Sequence, residues 1–200
     1  MPGRNIVKKY DINAYYHIYN RGVDKRTIFV DDQDYAVFVA LIKRYLDVSL
    51  ENGSKGRPYI DLRGKLEVMA FCLMPNHFHL LLYQIEIGGI TELMRAVCSS
   101  YTTYFNKKYE RIGPLFQGNF KAILVNSDVY LQYISRYIHR NPDNYIDWEW
   151  SSLSYWLGDK TASWLNPQRL NQLNREQYLA YIKDDTGFNK SVAEVPNLIF

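Results

Sequence analysis

Two histidines one residue apart, His77 and His79, stand in the run Pro75-Asn76-His77-Phe78-His79-Leu80-Leu81-Leu82. The run is short and strongly apolar, as a strand is. On a strand alternate side chains share a face, so both imidazoles project to one side and Phe78, Leu80 and Leu82 to the other. Two such imidazoles can ligate one metal ion, but a third ligand is needed to define a site. A bare His-x-His serves equally well as a hydrogen-bonding pair at a sheet edge. Further along, Tyr137 and Asn141 are four residues apart, which puts them on one face near the end of a helix. An amide oxygen is a reasonable hard ligand for Mg²⁺ or Mn²⁺, and two imidazoles tilt the site towards tolerance of Mn²⁺. The same spacing sets the Tyr137 hydroxyl beside that ion. Spacing alone leaves other readings open: Tyr130, Tyr133 and Tyr137 also form a core-facing stripe at i, i+3 and i+7, and Asn141 before Pro142 also reads as a helix stop.

The elements that must hold these residues can be read from periodicity. Residues 13–20 alternate and are rich in Tyr and Ile, which predicts a strand. Residues 31–50 carry an acidic first turn and apolar residues at Tyr35, Phe38, Val39, Ile42, Tyr45 and Leu46, the spacing of one helical face. Residues 66–73 and 77–83, joined by Met74-Pro75-Asn76, predict an antiparallel hairpin. A helix over 91–109 aligns Leu93, Val97, Tyr101, Tyr104 and Phe105. A strand over 120–125 and a helix capped by Ser127 and running to about Arg140 follow. The order is βαββαβ plus a helix, the α+β split βαβ of ferredoxin-like folds. Residues 51–58 form a turn-rich loop, and a further helix is expected over 174–183.

Composition sets outer limits. The 200 residues are 47% hydrophobic, enough for a buried core rather than a disordered chain. Two cysteines, Cys72 and Cys98, make neither a disulfide framework nor a Cys-x-x-Cys metal site. The first residues lack an apolar secretory stretch, and no run suits a membrane span. A cytoplasmic protein is expected. The net charge of +3 is mild, but residues 1–140 are basic and 141–200 slightly acidic, a distribution that suits nucleic acid and also an ordinary solvated surface. Arg21, Lys25 and Arg26, then Lys107, Lys108 and Arg111, then Lys121, Arg136 and Arg140 are the candidate phosphate contacts.

Phe71-Cys72-Leu73-Met74-Pro75-Asn76-His77-Phe78-His79-Leu80-Leu81 resembles the metal-binding core of the HUH single-tyrosine transposases, especially the REP-associated branch. Tyr19-Asn20-Arg21-Gly22, the stretch from Gly113 to Lys121, Arg136-Tyr137-Ile138-His139-Arg140-Asn141-Pro142 and Glu149-Trp150-Ser151-Ser152-Leu153 match in the family's order. The resemblance runs over residues 13–155. It implies a transposase domain over 1–155, leaving 156–200 as an extension of unassigned role. It implies Tyr137 as nucleophile, His77, His79 and Asn141 as metal ligands, and a 5′-phosphotyrosine formed on single-stranded DNA. Imperfect palindromes folded into hairpins are the expected substrates, with a nucleoid-associated location and a monomer or homodimer as the acting form. At the third-ligand position some relatives carry Gln where this chain has Asn141. The alternatives are a replication-initiator or relaxase-like nickase, an idle or regulatory DNA-binding protein on the same fold, and an RNA-binding module. The short chain argues against the first and the lack of an RNP-type run against the last.

Overall fold

The computed structural model describes residues 10–47, 60–170 and 172–184. The turn-rich loop at 51–58 lies outside them. The alternation near the start of the chain is β1 (Ala14–Arg21), with Tyr16 and Ile18 in one apolar cluster and Tyr15 against a second. Helix α1 (Asp32–Leu46) starts at Asp31, whose carboxylate accepts from the Asp34 N–H and so satisfies one of the exposed donors of the first turn. It stops at Leu46, earlier than the sequence pattern predicts, because Asp47 turns extended.

Strands β2 (Leu66–Met74) and β3 (His77–Gln84) form the hairpin, and α2 (Gly89–Lys108) leads on to β4 (Lys121–Val125). The sheet order is β2-β3-β1-β4 and every pairing is antiparallel. This is the expected ferredoxin-like order. The two crossover helices pack together on one face, where Phe38, Ile42, Leu93, Val97 and Tyr101 meet Ile18, Phe78, Leu80 and Leu82.

The opposite face is covered by α3 (Asp128–His139), capped by Ser127, whose hydroxyl accepts from the Tyr130 N–H at 3.2 Å. Tyr133, Ile134 and Ile138 bury against Cys72 and Leu81. The segment expected as an extension beyond Tyr155 is, as far as it is described, built into the same two clusters. Trp164 and Leu165 join the first, and Trp156, Tyr178 and Ile182 the second. Trp156 ends the short helix α4 (Leu153–Trp156), and its indole N–H donates at 2.8 Å to the carbonyl of Met69, where β2 bulges. Tyr178 and Ile182 lie on α5 (Arg175–Lys183), which Asn174 and Gln177 close with a reciprocal capping box.

The open edge of β2 is closed by the chain itself. Leu73 N–H donates to the Trp150 carbonyl, Ser152 N–H to that of Phe71, and Asn166 N–H to that of Val68. An edge strand left bare would offer a template for another chain, and these bonds remove it.

Candidate active site

The turn Pro75-Asn76 ends β2 and launches β3 at His77, which pairs with Met74 on one side and Arg21 of β1 on the other. His79 pairs with Cys72 and Tyr19. Both histidines therefore lie on the α3 face, as the strand period requires, with Phe78 and Leu80 behind them in the other core.

Hydrogen bonds fix the His77 ring. The Asn76 amide N–H donates to the Lys25 carbonyl at 3.3 Å, so its oxygen faces His77 Nδ1, 2.6 Å away. Nδ1 must then carry the proton. His77 Nε2 turns a lone pair towards Asn141 Oδ1 at 2.9 Å, and that oxygen is itself an acceptor. Two lone pairs converging at this distance suit a shared cation. Burial lowers the His77 pKa first of all, the Asn141 bond opposes that, and nearby Arg21 lowers it further. The neutral, ligating form is the one favoured.

His79 is fully buried and held from behind by a residue that the sequence pattern does not single out. His17 of β1 places Nε2 at 2.8 Å from His79 Nδ1, with the rings stacked at 5.0 Å. If His79 Nδ1–H donates to His17, the His79 Nε2 lone pair is released for a ligand, the usual role of an outer hydrogen-bond partner at a metal-binding histidine. Burial holds His17 neutral, its pKa lowered to about 3. Burial also depresses His79 strongly, with the charges of His17, His77 and Arg21 adding to it. Burial pushes up the thiol of Cys72, across from His79, and so favours its neutral form. Among the described residues no group of three His, Cys, Asp or Glu side chains is placed to hold a metal ion, and the oxygen beside His77 is that of the Asn141 amide.

Helix α3 brings Tyr137 over this cluster. Its ring meets those of His79 and His17 edge-on, at 5.5 and 6.0 Å. The Asn141 side chain bonds the Tyr137 hydroxyl as well as His77, so the amide links the phenol to the histidine pair. The tyrosine stripe and the helix stop of the sequence reading also exist: Tyr130 and Tyr133 are buried, and Asn141 follows the end of α3. Tyr137, the last of the stripe, is only partly buried. Burial raises its phenol to about 12, with Tyr19 adding to the shift and Asn141 and Arg21 opposing it.

The wall beside the cluster is the loop before β4, stitched to the end of β1. Gln117 N–H donates to the Arg21 carbonyl, Val23 N–H to that of Leu115, and Gly22 N–H to that of Asn76, each at 2.9 Å. Gly22 is required here, since a Cβ would collide with the Arg26 carbonyl and the Ile28 side chain.

Residues 58–141 match the family model described as Transposase IS200 like. Over that segment the chain is similar to the IS200-like transposases. The match takes in the histidine pair, Tyr137 and Asn141. No curated protein matches the chain significantly. Among solved structures, a REP-associated tyrosine transposase bound to a REP hairpin aligns at 15% identity over 78% of this chain and 88% of its own, with a TM-score of 0.49. A candidate transposase from Deinococcus radiodurans R1 aligns at 19% identity over 69% and 95%, with a TM-score of 0.38.

The basic residues of the chain fall into different surroundings. Arg21 and Lys121 flank the site on paired ends of β1 and β4. Lys25 is exposed on the turn after β1, and Arg26 lies close enough to Arg111 for their charges to interact. Lys107 is exposed at the end of α2, on the far side of the sheet from the histidines. Lys108 is committed elsewhere: its ammonium bonds Asp31 at 2.7 Å and the buried Asp34 at 2.8 Å. Arg136 is also withdrawn, only 2% exposed with its guanidinium over the Tyr181 ring. Arg140 lies over the ring of Tyr145. His139, two residues from Tyr137, points into the core between Tyr178 and Ser152. No described helix is long and apolar enough to cross a membrane.

Proposed function

We propose that this transposase cuts and rejoins single-stranded DNA through Tyr137, with Mg²⁺ or Mn²⁺ held by His77, His79 and Asn141. The observation that carries the reading is the Asn141 amide, which touches both His77 Nε2 and the Tyr137 hydroxyl and so gathers nucleophile and ligands into one cluster. Two neutral imidazoles and an amide oxygen make a donor set for a divalent ion that tolerates nitrogen. When bound, such an ion orients the scissile phosphate and draws charge from its non-bridging oxygens.

Tyr137 forms a bond from its phenolic oxygen to phosphorus, and the bond from phosphorus to the 3′ oxygen breaks. On the polarity implied by the family resemblance, the tyrosine keeps the 5′ phosphate and the other end leaves as a 3′-hydroxyl. The phenol proton passes to the leaving oxygen or to water. A 3′-hydroxyl can later attack the phosphotyrosine, restoring the phenol and joining a new strand, so no ATP is consumed. Because burial keeps the phenol protonated near neutrality, the proton must be lost during attack, and Arg21 favours the resulting charge. We extend the substrate to strands bearing imperfect-palindrome hairpins, as the resemblance implies.

The test is a denaturing gel of single-stranded DNA from the flanks of the gene, with Mg²⁺ or Mn²⁺, comparing wild type with Tyr137→Phe. A protein–DNA adduct that needs metal and disappears in Tyr137→Phe upholds the reading. Binding without any adduct, across both metals and several hairpins, replaces it with a regulatory DNA-binding role. An adduct that survives in Tyr137→Phe transfers the role to another tyrosine, Tyr133 first.

A further inference from the structure

Next to the Tyr137 cluster lies a cavity of roughly 210 Å³, walled by Tyr19, Asn20, Arg21, Gln117, Asn119 and Lys121. Two of its walls adjoin the histidines directly: Arg21 pairs with His77 across the sheet, and Tyr19 pairs with His79, their rings 6.0 Å apart. Lys121 is exposed and holds its ammonium 5.6 Å from the Tyr19 ring centre. One side of the cavity is thus cationic.

The other side is amide. Gln117 and Asn119 are exposed, and among the described residues their side chains make no hydrogen bond. Their backbone is nevertheless held in place. Gln117 N–H donates to the Arg21 carbonyl, and the buried Asn20 amide donates to the Gly118 carbonyl at 3.0 Å. Gly118, between the two amides, has φ of +157° and open space where a Cβ would stand, so the floor stays uncovered. A fixed backbone carrying two idle amides, opposite two cations and beside a nucleophile for phosphate, is arranged for one nucleotide. Lysine and arginine hold phosphate by charge, whereas Asn and Gln pair with base edges, adenine above all.

We propose that this cavity binds the nucleotide next to the scissile phosphate, Arg21 and Lys121 holding its phosphate and Gln117 and Asn119 reading its base. The assignment rests on the Tyr137 reading for its position beside the cut, but the binding itself requires no cleavage.

The experiment selects binders from a pool of single-stranded oligonucleotides that carry a hairpin flanked by randomised nucleotides. It is run in EDTA and read by sequencing, for wild type, Gln117→Ala/Asn119→Ala and the isosteric Asn119→Asp. Wild type should enrich one base at a single position near the hairpin. The double variant should lose that preference by about 5- to 100-fold while binding the pool otherwise normally. Asn119→Asp, which keeps the shape and removes the donor, should change or weaken the same position only. An enrichment identical in all three proteins, or none by the wild type, overturns the assignment. Since no adduct is needed, a failure of the Tyr137 reaction would appear on the cleavage gel and leave this result standing.

Discussion

The Asn141 amide and the His17 ring do related work from opposite sides of the metal-ligand candidates. Asn141 gathers His77 and Tyr137, and His17 pairs with His79 Nδ1, which leaves Nε2 as the ligating nitrogen when Nδ1 carries the proton. Replacing His17 by Phe keeps a ring in the stack but removes the nitrogen partner. Loss of an outer partner typically weakens metal binding by about 10- to 100-fold. Calorimetric titration with Mn²⁺ should therefore show that loss while thermal unfolding of the metal-free chain changes little. An unchanged affinity would reduce His17 to packing. The His-x-His pair and the Tyr137–Asn141 spacing were legible because strand and helix periods place them locally. His17 was not, since its partner is 62 residues away and only the β1–β3 register brings the two rings together. The same limit applies to the cations. Lys107 and Lys108 read alike in sequence, yet one is solvated and the other is tied to α1.

That tie decides how the two crossover helices are joined. Asp34 has no exposed side chain, and besides Lys108 it accepts from the Tyr104 and Tyr109 hydroxyls and the Val30 N–H. Burial alone would raise its carboxyl, but these bonds outweigh it and the net shift is downwards. A carboxyl held lower in the folded chain than in the unfolded one stabilises fully above its unfolded value of about 3.9. That stabilisation is lost as pH falls through the folded value. The thermal midpoint of wild type should thus drop on acidification below about pH 4, and Asp34→Asn should flatten that part of the profile. Asp34→Ala leaves Lys108 with Asp31 alone and takes the acceptor from the two hydroxyls and the Val30 N–H, at a cost of about 1–3 kcal/mol. Urea unfolding at neutral pH measures it, and a cost under about 1 kcal/mol would mean the pair behaves as a surface ion pair. The helices and strands were readable because each carries a full apolar period and, at α1, α3 and α5, a capping residue. The early stop of α1 was not, since Val48 and Leu50 continue an apolar pattern past Asp47.

At the scale of the molecule, one chain of hydrogen bonds links the sheet to α3 and α5. Phe71 N–H donates to Ser152 Oγ at 2.8 Å, and the same hydroxyl lies 3.2 Å from the Phe71 carbonyl. His139 of α3 places Nε2 at 2.6 Å from Ser152 Oγ and Nδ1 at 2.8 Å from the Tyr178 hydroxyl of α5. One assignment satisfies every group: Tyr178 O–H to Nδ1, Nε2–H to Ser152, and Ser152 O–H to Phe71. It requires a neutral imidazole, and burial supplies one by lowering the His139 pKa to about 3. The motif resemblance ends at Tyr155, but this network does not, because its last member is Tyr178. Cutting the chain after Tyr155 would remove Tyr178 and Trp156 from beneath α3, exposing the apolar side of the helix that carries Tyr137. Loss of either large ring alone typically costs about 3–5 kcal/mol. Truncation should therefore abolish cooperative unfolding and adduct formation together. Tyr178→Phe, which keeps the ring and deletes only the hydroxyl, should lower stability by roughly 1 kcal/mol or a little more and leave the adduct intact. Calorimetry of the two variants separates the cases: a truncated chain that still melts cooperatively and still captures DNA would make residues 156–184 an accessory rather than part of the fold that positions the nucleophile.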